Sequence, residues 1–222
     1  MFRNREEAAR LLARRFDGRE LRDPLVLAIP RGGVVTGAVL ARELGAELDV
    51  VLSRKLRAPY QPESAIGAVG EDGRVYLNPA AGKCLGLDDG YLANETMHQI
   101  GEIARRKALF RAVRPQATLE GRSVIVTDDG IATGATMIAA LDAARANHPF
   151  ESIVAVPVAS PDRLREVRRH CDEVICLLAP RSFWAIGQFY GDFTQVGDEQ
   201  AVELIRAAAP MQTQACREAT PV

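Results

Sequence analysis

The stretch VIVTDDGIATGAT, residues 124–136, decides how the rest of the chain is read. Val124, Ile125 and Val126 predict the end of a buried strand, and two adjacent carboxylates, Asp128 and Asp129, stand where that strand leaves the core. A Gly/Thr loop follows, made of Gly130, Ile131, Ala132, Thr133, Gly134, Ala135 and Thr136, and the periodic run MIAALDAA then predicts a helix. An acidic pair after a strand can simply cap a turn, and Gly/Thr loops join strands to helices in many α/β domains. The ordered combination says more. Carboxylates accept hydrogen bonds from vicinal hydroxyls, while loop N–H groups and the hydroxyls of Thr133 and Thr136 sit at the positive end of a helix dipole, where a phosphate binds.

Outward from this stretch, strand and helix patterns alternate. Short apolar strands are predicted at 25–29, 48–53, 124–128, 152–158 and 173–178, with helices near 34–44, 91–113, 135–147, 161–170 and 198–208. Gly45 is a helix stop, Ser160-Pro161 a helix start, and Asp198 the expected cap of the last helix. Near the N-terminus, Asn4 with Glu7 reads as a capping box. The implied fold is α/β and doubly wound: a mainly five-stranded parallel sheet with helices on both faces. Residues 54–90 break the rhythm, and AIGAVGEDGRVYLN alternates around Glu71-Asp72-Gly73 as a β-hairpin would. We expect one domain over residues 1–208, with this insertion, and a mobile tail over 209–222.

Two further features join the acidic pair. IPRGGVVTG, residues 29–37, follows the first strand and opens a helix; Gly32 and Gly33 are expected to let a ligand approach the backbone, and Arg31 to add a bidentate charge. In doubly wound sheets the ligand crevice lies where the winding reverses, commonly between the first and third strands, so this loop and the 124–136 loop should face one another. Ser53, Arg54 and Lys55 are placed by the pattern at the carboxyl end of strand 48–53, on the same edge of the sheet. Phe183, Trp184, Phe189, Tyr190 and Phe193 crowd together after the last strand, either as packing or as a platform on which a flat base stacks.

The 124–136 stretch resembles the phosphoribosylpyrophosphate (PRPP) motif of type I phosphoribosyltransferases, and 29–37 resembles that family's pyrophosphate loop. The resemblance covers residues ~1–205 and implies transfer of phosphoribose from PRPP to a nitrogenous base or related acceptor, with release of pyrophosphate. It implies that Asp128 and Asp129 hold the ribose hydroxyls, Gly130 to Thr136 the 5′-phosphate, and Arg31, Gly32, Gly33, Arg54 and Lys55 the pyrophosphate. Mg²⁺ is expected, held mostly by ligand oxygens and by Asp128 and Asp129 only through water. The 56–76 hairpin, with Glu63 and Ser64 near its base, would be the hood that closes over PRPP, and Phe183 or Trp184 the base platform. Family members that act on 6-oxopurines carry a further carboxylate beside the TG of this loop; here Ala132 precedes Thr133-Gly134, as in members that use adenine, which argues against hypoxanthine or guanine. The alternative is a regulatory protein on the same fold that binds PRPP or a nucleotide without catalysis.

Other classes fit poorly. Residues 32–37 read GGVVTG, which fails the dinucleotide fingerprint, no G-x-x-x-x-G-K-[ST] occurs, and Thr127 stands where an aspartyl phosphotransferase needs Asp. With 47% hydrophobic residues, 26% charged and a net charge of −1, nothing points to nucleic acid or an anionic membrane as a partner. Four scattered cysteines (84, 171, 176 and 216) and the absence of a signal peptide's apolar core predict a cytoplasmic protein with reduced thiols. His98, His148 and His170 fall away from every candidate loop. A homo-oligomer stays open.

Overall fold

The computed structural model describes residues 1–59, 61–71, 73–77 and 89–208, with backbone only at 61–65, 76 and 89. Expectations for Asp72, the side chains of Glu63 and Ser64, Cys84, Cys216 and the tail 209–222 lie outside the described residues. In chain order the elements are α1 (Arg5–Ala13), β1 (Leu25–Ala28), α2 (Gly32–Leu44), β2 (Glu47–Val50), β3 (Ser53–Ala58), β4 (Gln61–Gly70), β5 (Val75–Leu77), α3 (Asp89–Arg111), β6 (Ser123–Thr127), α4 (Ala135–Arg145), β7 (Glu151–Val158), α5 (Pro161–Val167), β8 (Glu173–Leu178) and α6 (Asp198–Ala207). Short 3₁₀ turns follow α1 and precede α6.

The central sheet is parallel throughout, in the order β2-β1-β6-β7-β8. Side chains alternate between two cores. Val26, Ala28, Leu48 and Ile125 face one layer with Leu12 and Leu40, and Leu25, Leu27, Val124 and Val126 face the other with Leu141, Leu164 and Val167. Burial on both faces is why these strands read as continuous apolar runs. Because β1 pairs directly with β6, the chain winds outward from that pair in both directions, and the switch point falls between them.

The insertion is a second, antiparallel sheet in the order β3-β4-β5, so the expected hairpin gains a third strand. This corrects the predicted strand 48–53. β2 ends at Val50, Val51 and Leu52 turn into opposite cores, and Ser53 already begins β3. The hood is docked. Leu56, Ile66 and Val69 share a core with Ile103 and Phe110 of α3, and the Ser53 hydroxyl donates to the Thr136 carbonyl of α4 at 3.2 Å. Tyr91 donates to the Arg57 carbonyl at 3.0 Å, and Arg111 at the end of α3 reaches both Asp49 (2.6 Å) and Glu71 (3.1 Å).

Two caps differ from expectation. Asn4 does accept from Glu7 N–H at 2.9 Å, but the Glu7 carboxylate returns to Arg3, not to Asn4. Gly197 caps α6, and Asp198, one residue later, points its carboxylate at Arg105 and Arg31. Of the cysteines, Cys171 and Cys176 are free thiols; burial pushes Cys171 up to about 11 and raises Cys176, so both are poor nucleophiles. Among the described residues no helix is long and apolar enough to cross a membrane.

Candidate functional site

At the carboxyl edge of the central sheet, β1 runs into Ile29-Pro30-Arg31, whose Pro30–Arg31 peptide is cis, and α2 begins at once with Gly32. β6 ends beside it at Thr127 and delivers Asp128 and Asp129 against the first turn of α2. The two glycines turn out to make room for these carboxylates. A Cβ on Gly32 would lie 2.0 Å from Asp129 Oδ2, and one on Gly33 would lie 2.9 Å from Asp128 Cα and from its Oδ1. The space that the sequence suggested for a ligand is thus occupied by the acidic pair, held at a helix N-terminus that favours negative charge.

The two carboxylates differ. Asp129 is buried and accepts from Arg5 Nε at 2.8 Å, while Arg5 also donates to the Thr194 carbonyl and stacks its guanidinium 3.9 Å above the Phe193 ring. Tyr190 donates to the Asp129 carbonyl at 2.6 Å. Asp128 is half-buried and accepts from the Asp129 N–H at 2.8 Å. Burial raises the pKa of both; the charge of Asp129 pushes Asp128 further up, whereas Arg5 opposes the rise at Asp129. Arg5 was missed in the sequence. Its signal was present: Arg5, Ala8, Ala9 and Leu12 form one helical stripe, which places a cation on the core-facing side of α1.

In front of the pair lies a cavity of about 650 Å³. It brings together Arg31, Gly32, Arg54, Lys55, Asp128, Asp129 and Thr136 from the expected set, with Ser53 beside them. To these it adds Arg5, Arg57 and Arg106, so six cationic side chains face two carboxylates. Arg54 Nε donates to Gln99 at 3.0 Å, and Arg31 lies 3.8 Å from Asp198. Arg54 and Lys55 reach the cavity from β3 of the second sheet, and not, as the pattern suggested, from the end of β2.

The remaining expected residues have other surroundings. Gly130 packs so tightly that a Cβ would meet Ile186 at 2.8 Å, and Ile131 is buried with its N–H bonded to the Val158 carbonyl. Ala132 and Thr133 are exposed, and Gly134 is the left-handed N-cap of α4, followed by Ala135 and Thr136 in the first turn. Amides of that turn point toward the N-terminal end of the helix, where an anion is favoured. Neither Phe183 nor Trp184 lines the cavity: Phe183 packs on Phe189 at 5.4 Å, and Trp184 is 89% exposed. Phe193 and Ile186 line it instead, and one face of Phe193 carries Arg5 while Tyr190 stacks on the ring at 5.0 Å. His170 bonds Asp142 at 3.0 Å, away from the cavity.

A doubly wound sheet that presents an acidic pair, a cationic wall and a helix N-terminus at its switch point defines a class of α/β protein suited to phosphorylated small molecules. Within that class, the family model for the phosphoribosyl transferase domain matches residues 3–194, and the chain belongs to this family. It is 40% identical over 208 residues to a Mycobacterium tuberculosis protein, known from strains CDC 1551 and H37Rv, that bears the name "Putative phosphoribosyl transferase". The match covers 94% of this chain and 47% of the relative, so the chain spans about half the length of those relatives. The crystal structure of TT1426 from Thermus thermophilus is similar, with 44% identity, a TM-score of 0.84, and coverage of 94% of this chain and 99% of that one.

Proposed function

We propose that the protein transfers a phosphoribosyl group from PRPP to a nucleophilic acceptor and releases pyrophosphate. The observation that carries this reading is the cavity in which the half-buried Asp128 faces a cluster of cations. Asp128 accepts from the ribose hydroxyls, and Asp129, turned toward Arg5, orients its neighbour and shares that task only in part. Arg31, Arg54 and Lys55, beside Gly32 at the start of α2, take the pyrophosphate and stabilise the charge it gains as it leaves, while Gly33 makes room for Asp128. Within the loop Gly130 to Thr136, Gly130 and Ile131 are packed away, and the part from Ala132 to Thr136, at the start of α4, takes the 5′-phosphate.

Among the described residues no group of three or more His, Cys, Asp or Glu side chains could hold a metal ion, and the acidic pair are the carboxylates that line the cavity. That donor set fits magnesium held chiefly by its ligand's own oxygens, with Asp128 and Asp129 reached through water. When bound, the ion supplies charge neutralisation on the pyrophosphate. No covalent nucleophile is needed, because the reaction rests on positioning and on excluding water. The docked hood supports the second task, since α3 and α4 hold it over the same edge of the sheet that carries the cavity.

The test is pyrophosphate release from PRPP and magnesium with a panel of bases and other nitrogen nucleophiles. Turnover with one acceptor supports the enzyme. PRPP binding by calorimetry with no turnover across the panel favours the regulatory alternative, and no PRPP binding ends both readings.

A further inference from the structure

We propose that Arg106 of α3 binds the pyrophosphate end of the ligand, as an anion-binding residue presented from the hood-side helix and from neither sheet loop. This rests on the phosphoribosyl-transfer reading above and adds a residue to it. Gln99, Ile103, Arg106 and Phe110 are spaced four, three and four residues apart, so they form one stripe along α3. Gln99, Ile103 and Phe110 are buried, and Arg106 is the charged member of the stripe. Its Nε is fully buried and has no hydrogen-bond partner, while the side chain lines the cavity beside Arg31 and Arg54.

Two other arginines on this part of the chain show the contrast. Arg111 also has a buried Nε without a partner, but its terminal nitrogens are bonded to Asp49, Glu71 and the Val50 carbonyl, and Arg105 pairs with Asp198. Arg106 instead has its charge disfavoured by burial and by Arg54, Arg31 and Arg105, with Asp198 the opposing influence. A desolvated cation crowded by like charges costs folding energy. Such a group adds nothing to the unliganded fold and becomes favourable when a multiply charged anion enters. Diphosphate is the chemistry that fits, because it can bridge cations from α2, β3 and α3 at once.

The contrast sets a test in which function and folding move in opposite directions. Arg106→Gln is compared with the wild type by calorimetry with inorganic pyrophosphate and by thermal melting of the unliganded protein. Arg165→Gln, which removes a surface cation paired with Asp162, controls for net charge. We expect pyrophosphate affinity to fall by about tenfold or more in Arg106→Gln, with Arg165→Gln like the wild type. The unliganded melting temperature of Arg106→Gln should be equal to that of the wild type or higher. Unchanged affinity in Arg106→Gln overturns the proposal while leaving the transfer reading intact. A lower melting temperature overturns it too, because it makes Arg106 a structural residue. Failure of the wild-type protein to bind pyrophosphate or PRPP removes both readings.

Discussion

The two edges of the central sheet handle charge in opposite ways. At the amino edge Glu47, which opens β2, accepts from both Arg122 (2.6 Å) and Arg114, and Arg122 also pairs with Asp23 at 3.0 Å. Arg19 joins Glu151 and Glu173 at the same edge. Burial alone would raise Glu47, but the hydrogen bonds from Arg122 and Arg114 outweigh it and hold the carboxyl below its ordinary value. At the carboxyl edge six cations face two carboxylates and both carboxyls are pushed up. Arg114 and Arg106 each have a buried Nε with no partner, but Arg114 bonds Glu47 through another nitrogen whereas Arg106 sits among Arg31 and Arg54. One edge is paired for stability. The other gathers more cations than carboxylates, the imbalance that the proposed pyrophosphate site would use.

The largest expected effect tests the buried Arg5–Asp129 pair at the carboxyl edge. Arg5→Ala leaves Asp129 buried without its cation, beside Asp128, and should cost about 3–5 kcal/mol in urea unfolding. PRPP affinity should fall with it, since Asp129 loses its orientation. A variant as stable as the wild type would mean that Arg5–Asp129 behaves like an exposed pair and that the two edges differ little.

Glu47→Gln should come next, at roughly 2 kcal/mol, because it removes the acceptor shared by two arginines at a site that is partly solvated. Pyrophosphate affinity should stay unchanged. A shift in affinity would show that the two edges are coupled through the sheet.

Asp128→Asn sharpens the comparison through pH. PRPP affinity should drop about tenfold or more with loss of a charged hydrogen bond, yet stability at neutral pH should hold or rise. The folded-state pKa of Asp128 lies above its ordinary value of 3.8, so the folded protein binds more protons there and stability falls as pH rises through the interval above 3.8. Asn removes that fall. Glu47 has the opposite sign: its folded pKa is below 4.5, so its contribution is present above 4.5 and is lost as pH drops through the depressed value. Urea melts of both variants from acid to neutral pH should therefore show opposite changes in slope, and like changes would contradict the contrast.

The smallest effect belongs to Trp184→Ala. At 89% exposure the ring is no part of the core, and stability should change by less than about 0.5 kcal/mol. Acceptor titration of wild-type emission then locates the base: quenching brings Trp184 to it, and a flat titration leaves Phe193 and Ile186 as the neighbours of the acceptor.

Much of this was legible before the chain was folded. Apolar runs marked the inner strands β1, β6 and β7 because strands buried on both faces admit almost nothing polar, and the Asp128-Asp129 pair stood out for the same reason. The pattern puts Ser53 in the central sheet and Arg54 and Lys55 just past its edge, whereas all three belong to β3, since DVVLSRK carries no local mark where one sheet ends and the next begins. Asp198 was read as a cap because caps are recognised by short-range pattern, whereas its partners Arg31 and Arg105 come from α2's entry and from α3.

The linear order of residues by itself determined the alternation of strand and helix, the acidic pair, and the two loops that meet at the switch point, because each depends on periodicity or on neighbours a few positions apart. Only the tertiary structure decided which charges would be satisfied. Arg5 finds Asp129 across 124 residues and Arg122 finds Glu47 across 75, while Arg106 is brought among other cations and left incomplete. Coulomb interaction and desolvation depend on distance through space and on burial, and sequence separation sets neither.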